Sequence, residues 1–187
     1  MVLIIDNHDS FTFNLVDLFR KIGSRVDVIL VEDLDLAIVE KYSHILISPG
    51  PDVPRSYPKL FEMLQCYAQT KSILGVCLGH QVLCEYFGGE LYNLNKVRHG
   101  QRKQIHCVKQ NAIFDSLPSQ FDVGLYHSWT ISSDSLHSSS LDITAICDEQ
   151  VVMAVAHQTL PIYGVQFHPE SFMTEFGKEI LLNWLRI

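Results

Sequence analysis

The sequence predicts an α/β fold with a mostly parallel central sheet, flanked by helices and extended by antiparallel strands in the C-terminal half. Two observations favour this fold. In the first half, short apolar runs without polar alternation, typical of strands buried on both faces, are separated by segments with helical spacing. In the second half, strand-like segments follow one another across short connections, which is typical of antiparallel pairing.

The first half alternates strands with helices. Strands are predicted at 1–5, 25–31, 44–48 and 72–76, and helices at 34–42, 57–70 and 78–87 besides the first one. That first helix is expected to begin at an N-cap, Ser10, and to bury an apolar stripe. The stripe consists of Phe11, Leu15, Leu18, Phe19 and Ile22. Gly23 is expected to end it, because glycine is common where helices end.

The second half contains strand-like segments at 104–108, 141–147 and 151–157. The last of these is predicted to pair with 162–167 across a hairpin-like connection. A closing helix is expected at 176–185, and the serine-rich stretch 132–140 is expected to be a mobile surface loop.

Length and composition exclude several classes of protein. At 187 residues with 47% hydrophobic residues, the chain is expected to form a single domain over residues 1–187. A net charge of −7 argues against a nucleic-acid partner. No membrane partner and a cytoplasmic location are expected, because the sequence shows neither a signal peptide nor a long apolar span. The five cysteines lack the spacing of a disulfide framework, which fits a reducing compartment.

Cys77 ends an apolar run and is bracketed by Gly75 and Gly79. A strand that turns sharply into a helix needs small residues at these positions, and this pattern is typical of a nucleophile elbow. The sulfur would lie at a helix N-terminus, where backbone N–H groups favour the thiolate. Cys77 is therefore the candidate nucleophile.

A candidate base follows a later apolar run. His168 and Glu170 are separated only by Pro169, so that in extended backbone both side chains can point to the same side. A carboxylate that fixes one imidazole nitrogen leaves the other to exchange a proton with Cys77. The alternative is a solvated strand end with no catalytic role.

Acyl transfer also needs N–H donors for the oxyanion. The backbone N–H of Leu78 follows the nucleophile, and Gly50 in the loop Pro49-Gly50-Pro51 can supply a second. That loop could also be only a rigid turn. A metal site at Cys77, His80 and Cys84 is a further alternative, although the glycine bracket explains Cys77 better. No metal and no cofactor are expected.

Several motifs in this order resemble the class I glutamine amidotransferases, in particular the small subunits of chorismate-using synthases, and the resemblance covers nearly the whole chain. The motifs are Ile5-Asp6-Asn7-His8-Asp9-Ser10-Phe11-Thr12-Phe13-Asn14, Ser48-Pro49-Gly50-Pro51, the elbow, His99-Gly100, Tyr126-His127-Ser128 and 164–171. The resemblance implies the flavodoxin-like fold of that family. It also implies a glutaminase with L-glutamine as substrate and a synthase subunit, component I, as protein partner.

The resemblance implies a role for each matching residue. Cys77 would attack the glutamine side-chain amide, and His168 with Glu170 would protonate the departing ammonia. Substrate contacts are implied for Gly50, Pro51, Asp52, Gln81, Ser128 and Trp129. The segment 7–11 would help to dock the synthase. From the residues alone, Gln81 could instead be a surface side chain and Trp129 a core residue.

Two segments depart from the family pattern. Asp52 stands where the loop commonly has a fourth-position glycine, and we expect its carboxylate to point to solvent or to a cation such as Arg55, away from the oxyanion. Arg98 and Gln101 flank His99-Gly100 where relatives often carry Met and Lys; we expect this to alter partner contacts rather than chemistry.

The product made with the partner is the least determined property. Segments 6–9 and 124–129 favour 4-amino-4-deoxychorismate slightly, with anthranilate, or a subunit shared by both synthases, as the alternative. A free-standing γ-glutamyl hydrolase and a non-catalytic relative are further alternatives.

Overall fold

The computed structural model describes residues 1–95 and 97–187. The elements of the first half are β1 Val2–Asp6, α1 Thr12–Lys21, β2 Val26–Leu30, α2 Leu36–Val39, β3 His44–Ile47, α3 Pro58–Tyr67, β4 Ser72–Val76 and α4 Leu78–Tyr86. Those of the second half are β5 Leu91–Asn93, β6 Gln101–Cys107, β7 Gln120–Leu125, β8 Trp129–Ile131, β9 Leu141–Cys147, β10 Val152–His157, β11 Ile162–Val165 and α5 Gly177–Trp184.

Among the described residues, nine strands form one sheet in the order β2-β1-β3-β4-β11-β10-β9-β6-β7. Neighbours from β2 to β11 are parallel, and the remaining pairs are antiparallel. The predicted α/β fold with a mostly parallel sheet and antiparallel additions is therefore confirmed. The hairpin of β10 and β11 is also as predicted, with Ala154 opposite Val165.

Both faces of the parallel part are covered, which explains why its strands lack polar alternation. Alternate β1 side chains enter different cores: Ile4 lies in the core that α1 and α5 cover, whereas Leu3 and Ile5 lie in the core under α3 and α4. Trp184 of α5 and Phe19 of α1 are both fully buried, with ring centroids 6.1 Å apart.

The start of α1 differs from the expectation. The helix begins at Thr12 after Phe11, and no side chain of Ser10 caps it. The carboxylate of Asp9 instead accepts a hydrogen bond from the Phe11 N–H at 2.8 Å. The prediction of Ser10 as N-cap is wrong, because the tight turn before the helix is closed by the side chain of Asp9, one residue earlier in the chain.

Three short or polar strands were not predicted: β5, β7 and β8. β5 and β8 have three residues each and pair only with one another, and β7 contains Asp122 and Gly124, which are poor strand formers. Within the serine-rich stretch, Asp134–Leu136 form a short 3-10 helix whose Leu136 is buried. Whether that stretch is mobile stays a prediction.

The carboxyl ends of β1, β3 and β4 meet at one edge of the sheet, and parallel β11 ends there too. The residues that follow these strands therefore converge, as ligand-binding loops do in open α/β sheets. In the described part of the chain, no helix combines the length and apolarity needed to cross a membrane.

Candidate active site

Cys77 occupies the turn between β4 and α4 in a left-handed backbone conformation, with φ 53° and ψ −102°. A non-glycine residue held in this region stores about 1–3 kcal/mol of strain, so the surrounding structure must enforce it. The Cys77 N–H donates to the Val165 carbonyl at 2.8 Å, and the Cys77 carbonyl accepts from the Gln81 N–H. The turn is thus tied both to β11 and to the helix that follows.

The two glycines around Cys77 are required by backbone contacts. A Cβ atom on Gly75 would lie 2.3 Å from the Gly79 carbonyl oxygen, and one on Gly79 would lie 2.2 Å from the Ile47 carbonyl oxygen. Backbone cannot move aside as a flexible side chain can. The sharp strand–turn–helix geometry predicted from the glycine bracket is present.

His168 and Glu170 form a buried pair. The imidazole Nδ1 donates to the Glu170 carboxylate at 2.6 Å, and the two side chains are 2% and 0% exposed. Among the described residues, the other ring nitrogen, Nε2, has no hydrogen-bond partner. Because Nδ1 holds the proton that Glu170 accepts, Nε2 is the nitrogen left for proton exchange.

The electrostatics of this pair favour the imidazolium. Burial alone would lower the pKa of His168, but the Glu170 carboxylate and the Cys77 sulfur outweigh it and raise that pKa well above its ordinary value. A positive imidazole beside the sulfur is the arrangement that stabilises a thiolate.

Two aromatic rings, of Phe11 and Tyr126, pack against the His168 imidazole. The ring centroid of Tyr126 lies 4.8 Å and that of Phe11 5.4 Å from that of His168, and the Phe11 and Tyr126 centroids are 4.9 Å apart. The Tyr126 hydroxyl is 3.2 Å from the Ser171 hydroxyl, in the loop that carries Glu170. These contacts restrict how the imidazole can turn.

The loop after β3 lies against the start of α4. A Cβ on Gly50 would meet the Leu78 side chain at 2.6 Å and the Asn7 side chain at 2.7 Å. Buried Asn7 holds this loop, because its Nδ2 donates to the Ser48 carbonyl at 2.9 Å. Within the described residues, the backbone N–H groups of Gly50 and Leu78 donate to no other group. Two unused donors therefore lie in neighbouring segments beside Cys77.

Asp52 adopts φ 62° and its side chain is exposed. Glycine adopts this left-handed conformation most readily, and Asp is one of the few other residues that tolerate it. The expectation that its carboxylate points to solvent is confirmed. Arg55 as its partner is wrong, because the Arg55 guanidinium pairs with Glu85 at 2.7 Å.

Gln81 is buried on the first turns of α4 rather than at the surface. Its Nε2 donates to the Trp129 carbonyl at 2.9 Å and to Oε1 of Gln166 at 3.1 Å. Trp129 begins β8, which pairs with β5, and Ser128 directly precedes it, with its carbonyl accepting from the Leu94 N–H at 2.7 Å. Pro51 is exposed, and its carbonyl accepts from the Tyr57 hydroxyl.

A nucleophile elbow, a buried imidazole–carboxylate pair and unused N–H donors thus share one edge of the sheet. Comparison of the sequence with protein families matches residues 3–187 to the family Glutamine amidotransferase class-I. The chain belongs to this class-I family. The sequence resemblance is confirmed.

Proteins similar to this amidotransferase domain carry two kinds of name. A Haemophilus influenzae protein named "Putative anthranilate synthase component II" is 61% identical, covering 100% of this chain and 96% of its own. An Escherichia coli protein named aminodeoxychorismate synthase component 2 is 38% identical over 99% of both chains. A Bacillus subtilis protein, 39% identical over 99% of this chain and 95% of its own, is named aminodeoxychorismate/anthranilate synthase component 2.

The fold has solved counterparts. A Thermoplasma acidophilum crystal structure described as a "putative gmp synthase subunit a protein" superposes with a TM-score of 0.88. It is 23% identical and covers 99% of this chain and 92% of its own, so the likeness supports the shared fold alone.

Three residues lie in this candidate site without a role predicted from the sequence: Tyr126, His127 and Gln166. Nδ1 of buried His127 donates to the Trp129 carbonyl at 2.9 Å, and burial lowers the pKa of His127 to about 4. Their motifs were visible in the sequence, but their contacts join segments far apart in the chain. Sequence spacing carries no signal for such contacts.

Two further predictions concern residues around the candidate site: the alternative metal site at Cys77, His80 and Cys84, and the departure from the family pattern at Arg98. Cys84 packs at 3.9 Å from both ring nitrogens of His80, whose pKa burial lowers to about 3. Within 1–95 and 97–187, no group of three or more His, Cys, Asp or Glu side chains is arranged to hold a metal ion. Arg98, one of the departures from the family pattern, is largely buried and pairs with Glu149 at 2.8 Å.

Proposed function

We propose that this protein hydrolyses L-glutamine through Cys77, His168 and Glu170 and passes the ammonia to a chorismate-using synthase subunit. The observation that supports the proposal most strongly is the strained elbow at Cys77 beside the buried His168–Glu170 pair. A nucleophile, a proton carrier and an orienting carboxylate are the groups that amide hydrolysis through a thioester requires.

The reaction starts when the Cys77 thiolate attacks the side-chain amide carbon of glutamine. The carbonyl oxygen gains negative charge, and the backbone N–H groups of Gly50 and Leu78 stabilise it. As the C–N bond breaks, the His168 imidazolium gives its Nε2 proton to the leaving nitrogen, so that ammonia departs and a γ-glutamyl thioester remains. Water then attacks the thioester while His168 takes one of its protons, and glutamate and the thiolate are released.

The substrate contacts follow from the same geometry. Gln81 lies one helical turn after the nucleophile, and the segments carrying Gly50, Pro51 and Asp52 and carrying Ser128 and Trp129 adjoin this end of the sheet. We assign these residues to binding of the glutamine, with Asp52 acting through its backbone because its side chain is exposed. The carbonyl groups of Trp129 and Ser128 accept hydrogen bonds within the protein, which fixes the position of this segment.

A synthase partner is supported by the names of the relatives and by the surface around the site. Phe13 is 67% exposed and Phe172 is 87% exposed. Each lies two residues from a residue of the site, Phe13 from Phe11 and Phe172 from Glu170. Exposed large apolar side chains close in sequence to site residues are the kind of surface that another protein can cover.

For the product we propose 4-amino-4-deoxychorismate, on the basis of segments 6–9 and 124–129. A second candidate is anthranilate, which the printed name of the 61% identical Haemophilus influenzae protein favours.

The deciding experiment mixes the purified protein with glutamine, chorismate and each candidate synthase subunit from the same genome. The aminated product is identified by mass spectrometry, and Cys77→Ser is the control. Aminodeoxychorismate alone supports the proposed product, anthranilate alone replaces it, and both together indicate a shared subunit. Cys77→Ser should lose at least about 1000-fold in glutaminase activity. If no product forms and the wild type is no more active than Cys77→Ser, the proposed function is wrong.

Docking has a separate test. Phe172→Ser should weaken the complex at least about tenfold, because a buried aromatic contact is worth more than 1 kcal/mol, while glutamine hydrolysis by the isolated subunit persists. Tyr92, 42% exposed on β5, gives the matched control variant Tyr92→Ser. Equal affinities of the two variants in titration calorimetry would remove Phe172 from the interface.

A further inference from the structure

Gln166 directly follows β11 and is completely buried. Its backbone is fixed, since its N–H donates to the Met153 carbonyl at 2.8 Å, and the preceding carbonyl, of Val165, accepts from the Cys77 N–H. The Gln166 side chain therefore starts from a backbone position that is tied to the elbow itself.

The side-chain amide of Gln166 lies between the substrate-binding helix and the nucleophile. Its Oε1 accepts from Gln81 Nε2 at 3.1 Å, and its Nε2 donates to Cys77 Sγ at 3.6 Å. All three side chains are buried, with exposures of 0% for Gln166, 3% for Gln81 and 7% for Cys77. A chain of hydrogen bonds thus runs from Trp129 through Gln81 and Gln166 to the sulfur.

The orientation of both amides follows from one backbone group. The Trp129 carbonyl can only accept, so the atom of Gln81 that faces it must be the Nε2 donor. The same NH₂ group faces Gln166, which must then present its own oxygen. Consequently the NH₂ group of Gln166, a donor with no acceptor capacity, is turned toward Cys77 Sγ.

We propose that Gln166 is a positioning residue of the glutaminase reaction, holding Cys77 Sγ by a directed N–H donor and coupling it to Gln81. The inference deepens the proposed function and rests on it for the reaction. A donor aimed at sulfur stabilises the thiolate more than the thiol, because the charged sulfur is the stronger acceptor. It also occupies a sulfur lone pair, which leaves the thiol proton to face His168.

The first test measures the pH dependence of Cys77 alkylation by iodoacetamide, followed on the Cys77 peptide by mass spectrometry. Gln166→Met keeps the length of the side chain and removes the donor. We expect the pH of half-maximal alkylation rate to rise by about one unit, and by more in Gln166→Glu, whose carboxylate faces the thiolate. Gln104→Met, on the exposed surface of β6, is the matched control and should not shift.

The outcomes separate this inference from the proposed function, because alkylation needs no glutamine turnover. An unshifted profile in a folded Gln166→Met variant overturns the role of Gln166 even if the wild type is an active glutaminase. A shifted profile supports it even if no glutaminase is found. In steady-state kinetics, we expect Gln166→Met to lower kcat and to raise KM, since both Cys77 and Gln81 lose a partner.

A second measurement does not depend on folding of a Gln166 variant. In ¹⁵N-labelled wild type, the side-chain amide resonances of Gln166 should titrate at the same pH as Cys77 alkylation. They should also move on Cys77→Ala by more than those of exposed Gln104. If the Gln166 side-chain resonances change neither with pH nor on Cys77→Ala, the inference is wrong.

Discussion

The two sides of the candidate site are held in place in different ways. The turn that carries Cys77 is positioned by backbone: glycines that pack against carbonyl groups, a strained conformation and a strand hydrogen bond. His168 is positioned by side chains: the Glu170 carboxylate and the rings of Phe11 and Tyr126. Substitutions on the cysteine side should therefore destabilise the fold, whereas substitutions on the histidine side should change the catalytic activity and leave the fold intact.

This difference follows from the sheet. The elbow lies among parallel strands covered on both faces, where neighbouring backbones have no room to move. The histidine lies where the sheet changes to antiparallel strands. Side chains help to fasten its loop to β7, such as Thr174, whose hydroxyl accepts from the Gly124 N–H at 3.0 Å. Such contacts can be removed one at a time.

The largest expected effect is that of Gly79→Ala. Its new Cβ would lie 2.2 Å from the Ile47 carbonyl oxygen, so β3 and α4 would have to separate. We expect a loss of more than about 3 kcal/mol in the free energy of unfolding, or no folded protein. Denaturant unfolding measures it. Gly88→Ala is the control, because Gly88 has φ 92° but open space, and should lose only about 1 kcal/mol.

Glu170→Gln should act on chemistry with the fold retained. Without the carboxylate charge, burial dominates and the pKa of His168 falls. The raised pKa means that the imidazolium persists to higher pH in the wild type, so the variant should lose it at lower pH. We expect the alkaline limb of the kcat/KM profile to move to lower pH, and activity at neutral pH to fall about 100-fold.

The matched control for that prediction is Glu175→Gln. Glu175 lies in the same loop, and its carboxylate accepts from the Asp122 N–H at 3.0 Å without touching the imidazole. An unmoved alkaline limb in Glu170→Gln would mean that His168 is not the proton donor.

The same difference explains what the sequence could predict. Positioning by backbone leaves marks in the sequence, namely Gly75 and Gly79 around Cys77 and the unalternating strands, and both the elbow and the parallel sheet were predicted from them. Positioning by side chains depends on contacts between distant segments. The Phe11–Tyr126 contact, 4.9 Å between ring centroids, joins the first loop to the end of β7.

The antiparallel half was predicted less completely for a related reason. β5 and β8 are strands only because they pair with each other, as Tyr92 does with Thr130, and three residues carry little periodicity of their own. The N-cap at Ser10 failed because Asp9, one residue earlier, had an equally suitable side chain. Local propensity could not choose between these two neighbours.

A smaller effect is expected at Tyr126. Tyr126→Ala removes a ring that packs on His168 and should lower kcat about tenfold, because the imidazole gains freedom to turn. Tyr126→Phe keeps the ring and loses only the contact to Ser171, so kcat should fall about twofold. Steady-state kinetics with glutamine measure both. Equal losses in the two variants would show that the hydroxyl, rather than the ring, holds the imidazole.

Asp52→Gly should have the smallest effect. It tests whether the loop beside Cys77 depends on its backbone conformation rather than on a side chain. If the loop requires the left-handed conformation of φ 62° and not the carboxylate, glycine should keep both stability, within about 0.5 kcal/mol, and the KM for glutamine. Asp52→Val should lose about 1–2 kcal/mol, because a β-branched residue tolerates positive φ poorly. Gln150→Gly and Gln150→Val, at φ 61° in a turn away from the site, are the matched pair. A KM change in both Asp52 variants and in neither Gln150 variant would assign the carboxylate itself to glutamine binding, and a side chain would then act on this side of the site as side chains do around His168.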